Sequence, residues 1–117
     1  MRSFHANWFW VAVIANGLVG SWGLGLAVTR RSVGRVFVAA RALAIAVMLV
    51  QVGAGFWLYG RGWRPPTIHM FYGFLILFAF TFAYVYRAQL DRRPALSYGL
   101  LLLFVMGLGL RAWSNAP

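Results

Sequence analysis

The chain has no cysteine, no lysine and no glutamate, and Asp91 is its only acidic side chain. The absence of cysteine excludes disulfides, iron–sulfur clusters and thiol redox chemistry. One aspartate and two histidines, His5 and His69, are the only side chains suited to acid–base work near neutral pH. Asp91 lies in an arginine-rich stretch where an ion pair or a helix N-cap accounts for it. No catalytic constellation is present, and the chain reads as a non-enzyme.

Charge of either sign is also scarce. Only 10% of the 117 residues are charged, against 62% hydrophobic. So few charges cannot cover a water-facing surface, but they suffice for the loops and rims of a bundle surrounded by hydrocarbon. The eleven basic residues are all arginine and give a net charge of +10. They flank apolar segments and form no continuous stripe. Membrane lipid headgroups and topology explain them, and nucleic acid is not an expected partner.

What the chain does have is four long apolar runs, at about 7–29, 36–59, 67–86 and 95–112. Each is close to the roughly 20 residues needed to cross hydrocarbon. The connections at 30–35, 60–66 and 87–94 are short enough to force antiparallel neighbours. The expectation is an all-α membrane protein, a single domain over 1–117, with four helices in an up-down-up-down bundle. Pro66 and Pro94 precede the last two runs, where a missing N–H and a fixed φ suit a helix start. Gly25-Leu26-Ala27 loosely resembles a signal-peptide cleavage site, but the apolar run is too long and too rich in tryptophan, so the first segment is read as a span.

Seven arginines (30, 31, 35, 41, 87, 92 and 93) flank the first and third connections, and four (2, 61, 64 and 111) lie on the other side. This asymmetry places both termini outside, in a bacterial plasma membrane. Trp8, Trp10, Trp57, Trp63 and Trp113 gather at the same outer end, as an interfacial girdle does.

The faces predict packing. Ala12, Asn16, Gly20, Gly23 and Ala27 form a small-residue stripe on the first helix, and Gly17, Ser21 and Gly25 a second one about 100° away. The first helix is therefore expected to be central, with more than one neighbour. Asn16 and Gln51, counted inward from residues 7 and 59, fall at equal depth and are expected to hydrogen-bond each other or share a partner group. The third helix carries Phe71, Phe74, Phe78, Phe80 and Phe82 around its circumference. One side of it must leave the bundle, toward lipid, another subunit, or a pigment or quinone-like ring.

Three functions follow. The tight-packing faces, the aromatic third helix and the lack of interior ionisable groups favour an accessory or structural subunit of a larger membrane complex, respiratory or photosynthetic, concerned with electron transport. The first alternative is a haem-, quinone- or pigment-binding bundle. His5 and His69 open the first and third helices at matching depth, and two facing imidazoles ligate haem b iron, with Trp8, Phe9, Phe71 and Tyr72 around the macrocycle. Two ligands are too few for a zinc site, and no other metal site is read. The second alternative is a small homo-oligomeric channel or transporter using Asn16 and Gln51.

Overall fold

The structure, a computed structural model, describes residues 2–114, the side chain of Arg2 excepted. Among these residues there is no strand. The elements are α1 (Arg2–Val28), α2 (Arg35–Gly60), α3 (Thr67–Val85), the one-turn α4 (Arg87–Leu90) and α5 (Pro94–Ser114). All but α4 are long and apolar enough to cross a membrane. The body is 47 Å long, close to the ~40–45 Å of a bilayer with its headgroups.

Local chemistry sets the helix ends. Arg30 adopts φ +57°, the Arg31 N–H bonds the Leu26 carbonyl, and the Arg30 N–H bonds that of Ala27. That is a Schellman ending, with an arginine at the left-handed position glycine usually fills. α2 ends the same way. Gly62 takes φ +105°, the Trp63 N–H bonds the Leu58 carbonyl, and the Gly62 N–H bonds that of Tyr59. This turn folds Trp63 back over the end of α2. Pro66 caps α3, its carbonyl accepting from the N–H groups of His69 and Met70, and Pro94 is the first residue of α5. Asp91, expected in an ion pair or as an N-cap, is the C-cap residue of α4.

α1 packs against both α5 and α2, and α3 packs on α5 but touches α2 only lightly. The core joins Ala12, Ala44, Met48, Val52, Ile76, Phe80, Leu102, Val105 and Leu108. Backbones approach most closely where α1 meets α5. A Cβ on Gly23 would lie 2.9 Å from the Ala95 carbonyl oxygen and from Gly99 Cα, and one on Gly20 3.0 Å from the Gly99 oxygen. The second small-residue row does not form a comparable seam. Gly17 meets only Met106, while Ser21 and Gly25 are exposed.

The expected Asn16–Gln51 pairing is corrected. Asn16 is fully buried, and its amide donates to the carbonyls of Ala12 (2.8 Å) and, across to α2, Ala44 (3.0 Å). α1 begins at Arg2, not near residue 7, so depth counted from that assumed boundary put the wrong residues level. Gln51 sits seven residues beyond Ala44, ~10 Å further along α2, among the residues around His5. A second tie that the sequence did not suggest joins the same helices: the Trp8 indole donates to the Val47 carbonyl at 2.8 Å.

Candidate functional site

At the end of the bundle where α1 begins lies a half-open cavity of about 190 Å³. Every long helix contributes to its wall: His5 and Phe9 from α1, Gln51, Gly55 and Phe56 from α2, His69 and Gly73 from α3, Gly109 and Ala112 from α5. Trp63, delivered by the Gly62 turn, closes it from the connection. The walls are mostly apolar and aromatic, with a few convergent polar groups, as in sites that bind small molecules.

The two histidines meet here. Their ring centroids are 6.3 Å apart with the planes at 77°. Trp63 touches both, 5.4 Å from His5 and 5.7 Å from His69, edge to face in each case. Their proximity follows from chain geometry: His5 lies one turn inside the start of α1, and His69 is the third residue of α3, in the turn that Pro66 caps.

His69 is oriented by the backbone. Its Nδ1 lies 2.7 Å from the Ala112 carbonyl oxygen. A carbonyl only accepts, so Nδ1 carries the proton, and in the neutral ring Nε2 keeps its lone pair. An Nδ1–H bonded to a backbone carbonyl is the usual support of a metal-ligating histidine, because it fixes the tautomer and raises the basicity of the other nitrogen. The His5 ring lies against α2, where a Cβ on Gly55 would come 3.1 Å from His5 Cε1. A side chain at position 55 would thus crowd this imidazole. Two buried polar atoms at the cavity have no hydrogen-bond partner, His5 Nδ1 and Gln51 Oε1.

Glycine also keeps the α3 wall open, since a Cβ on Gly73 would meet nothing within 4 Å. Between α2 and α3 the rings of Phe56 and Phe74 meet edge to face at 5.2 Å.

Of the aromatic residues expected around a macrocycle, Phe9 lines the cavity. Trp8 is turned to Val47, Phe71 is exposed and Tyr72 packs on the core. Trp63, Phe56 and the two glycines take their place. The sequence signal for Trp63 was Gly62, one residue past a helix end, because the residue after a Schellman glycine folds back on the helix it terminates. Phe71, Phe74, Phe78 and Phe82 are all exposed along one side of α3, with Phe78 and Phe82 stacked at 6.2 Å.

At the opposite end, Arg30, Arg31 and Arg93 surround a cleft floored by Leu26, Ala27 and Leu96. Arg41 lies nearby on α2, its guanidinium 3.9 Å above the Tyr98 ring. Among the described residues no group of three or more histidines and acids is placed to hold a bare metal ion. No protein-family model matches the chain, and no curated protein or solved structure is significantly similar to it.

Proposed function

We propose that this is a haem-binding protein of the bacterial plasma membrane, in which His5 and His69 would hold a b-type haem and the haem would supply electron transfer. The single observation behind this reading is the spacing of the two imidazoles, with His69 already held in the ligating tautomer. Two metal–nitrogen bonds of ~2.0–2.1 Å, plus one ring radius on each side, span about 6 Å between imidazole centres. The 6.3 Å between the centroids is of that size, and ligation requires both rings to turn their Nε2 atoms to a common point.

A cavity near 150 Å³ holds about one benzene ring, so at about 190 Å³ this one admits only part of a tetrapyrrole, and binding requires the seam between α2 and α3 to open. Gly73 leaves room there, and the Phe56–Phe74 contact is a side-chain contact that can part. Arg61 and Arg64 follow α2 at this end of the bundle, and cationic side chains there suit the two propionates of a haem. Held by His5 and His69 together, a haem would supply electron transfer, in keeping with the lack of a catalytic constellation.

In this reading the helices run up-down-up-down, the haem end and both termini face outward, and the Arg30, Arg31 and Arg93 cleft meets the cytoplasmic headgroups. A second role is favoured by a separate observation, the exposed ring row of α3. The chain serves as a subunit of a larger respiratory or photosynthetic membrane complex, with that row against its neighbour.

The test is an absorption spectrum of protein purified in mild detergent from haem-replete membranes. The expected result is a Soret band and, on reduction, the sharp α and β bands of a low-spin, six-coordinate haem. Both bands should be lost in His69→Ala and in His5→Ala. A wild-type protein without a Soret band, at full helix content and after incubation with haem, would overturn the proposal.

A further inference from the structure

At the end of the bundle opposite the histidines, the half-open cleft between the end of α1 and the start of α5 has a volume of about 810 Å³. Leu26, Ala27 and Leu96 give it an apolar floor, and its charged members are Arg30, Arg31 and Arg93. Asp91, the only acidic side chain of the chain, is not among its lining residues. Among the described residues no side-chain hydrogen bond or ion pair engages any of the three guanidinium groups.

Local structure favours other residues at two of these positions. Arg30 sits at φ +57°, a conformation that strains an L side chain and leaves glycine unstrained. Arg93 caps α5, its carbonyl accepting from the Ser97 N–H, and the dipole at a helix N-terminus disfavours a cation. The third, Arg31, follows from the turn itself. Its N–H bonds the Leu26 carbonyl, and the residue after a left-handed position folds back on the helix it ends. Arginine there covers apolar surface with its stem and keeps its charged head at the rim. An anion among the three heads offsets their mutual repulsion and the unfavourable placement of Arg93.

We infer that this cleft binds one anionic phospholipid, its phosphate held by Arg30, Arg31 and Arg93 and its glycerol and first acyl carbons against Leu26, Ala27 and Leu96. The occupant is a lipid because the cleft lies between the ends of two helices long and apolar enough to cross a membrane, and because it joins cations to an apolar floor that a free anion leaves bare. Basic pockets between spanning helices hold anionic headgroups in this way. The inference rests on the reading that this end of the bundle meets headgroups, and it is independent of what fills the histidine cavity.

The experiment places the full chain in nanodiscs of phosphatidylcholine with a minor fraction of phosphatidylglycerol. Native mass spectrometry counts the retained lipids, and thermal unfolding is followed in parallel. Wild type is expected to retain one phosphatidylglycerol per chain in preference to phosphatidylcholine. Arg30→Gly, Arg31→Gln and Arg93→Gln should each weaken retention roughly 5-fold, the worth of about one charge at a headgroup surface. In Arg30→Gly the lipid-free thermal stability should stay at or above wild type, since glycine suits the turn, so its loss of lipid is not a folding defect. Arg35→Gln and Arg92→Gln remove a charge at the same end but outside the cleft, and should change retention by less than about 2-fold. Equal losses in these controls and in the cleft variants would mean diffuse attraction to the surface and overturn the site. Equal retention of phosphatidylcholine would overturn it too, as would displacement of the lipid by inorganic phosphate, which makes a free anion the occupant. The presence or absence of a Soret band bears on the histidine cavity alone.

Discussion

Two seams run the length of this bundle and they are built in opposite ways. Where α1 meets α5, glycines bring backbones together, and a methyl group on Gly23 would lie 2.9 Å from main-chain atoms of α5. Where α2 faces α3, the helices barely touch, a cavity opens, and glycines such as Gly73 face empty space. The difference extends to whole helices: 44% of the spanning window of α5 is buried inside the molecule, against 11% for α3. In lipid there is no hydrophobic drive to press helices together, so a seam closes only where shape, dispersion and hydrogen bonds close it. The α1–α5 seam has that complementarity and acts as a frame. The α2–α3 seam lacks it, and the two histidines, Gln51 and Trp63 lie at its end.

The most severe way to break this comparison is to place side chains in the tight seam. Gly23→Leu is expected to prevent correct packing altogether. Gly23→Ala, whose Cβ would fall within 3.0 Å of backbone atoms that cannot rotate away, should cost about 1–3 kcal/mol as overpacking. Gly73→Ala, the same change in the open seam, should leave stability within about 0.5 kcal/mol. Reversible unfolding in mixed micelles measures both. Equal costs at the two positions would show that the seams do not differ as described.

A smaller effect separates the two buried amides. Asn16→Leu removes the bond to Ala44 and should cost ~0.6–1.7 kcal/mol, the range for interhelical hydrogen bonds in membranes. It should leave the absorption spectrum unchanged. A haem spectrum altered by Asn16→Leu as strongly as by Gln51→Leu would show that the two amides act as one unit after all.

Much of the frame was legible in the sequence because hydropathy and helix length report directly on a bilayer. The four spans, the helix starts near Pro66 and Pro94, and the Gly20–Gly23 stripe all follow from local pattern. The meeting of His5 and His69 was also within reach, since each sits at the beginning of an apolar run. What sequence could not give was register. The first helix starts several residues before its apolar run, and that displacement moved Gln51 from the level of Asn16 to the neighbourhood of His5. Nor did small-residue spacing alone reveal which row would find a partner: Gly20 and Gly23 meet Gly99, while Ser21 and Gly25 stay exposed, because the partner's own shape decides. Trp63 depended on a turn geometry that one glycine sets, a signal present in the chain but easily read as loop composition.

The smallest expected effect on the isolated protein concerns the outer face of the loose seam's helix. Phe71, Phe74, Phe78 and Phe82 are exposed in a row, Phe78 at 67%. Hydrocarbon solvates a phenyl ring about as well as an isobutyl group, so replacing these rings by leucine removes little from the stability of the chain alone. Any association along this row must come instead from the flat shape and dispersion of stacked rings, of which Phe78 and Phe82 already form one pair. Phe78→Leu with Phe82→Leu is therefore expected to leave insertion, helix content and the haem spectrum as in wild type, with stability changed by less than about 0.5 kcal/mol. In native membranes the same double variant should migrate as a smaller species on native gels and lose co-purifying subunits. If wild type and variant both run as the bare monomer, the row faces lipid and the chain works without a fixed neighbour.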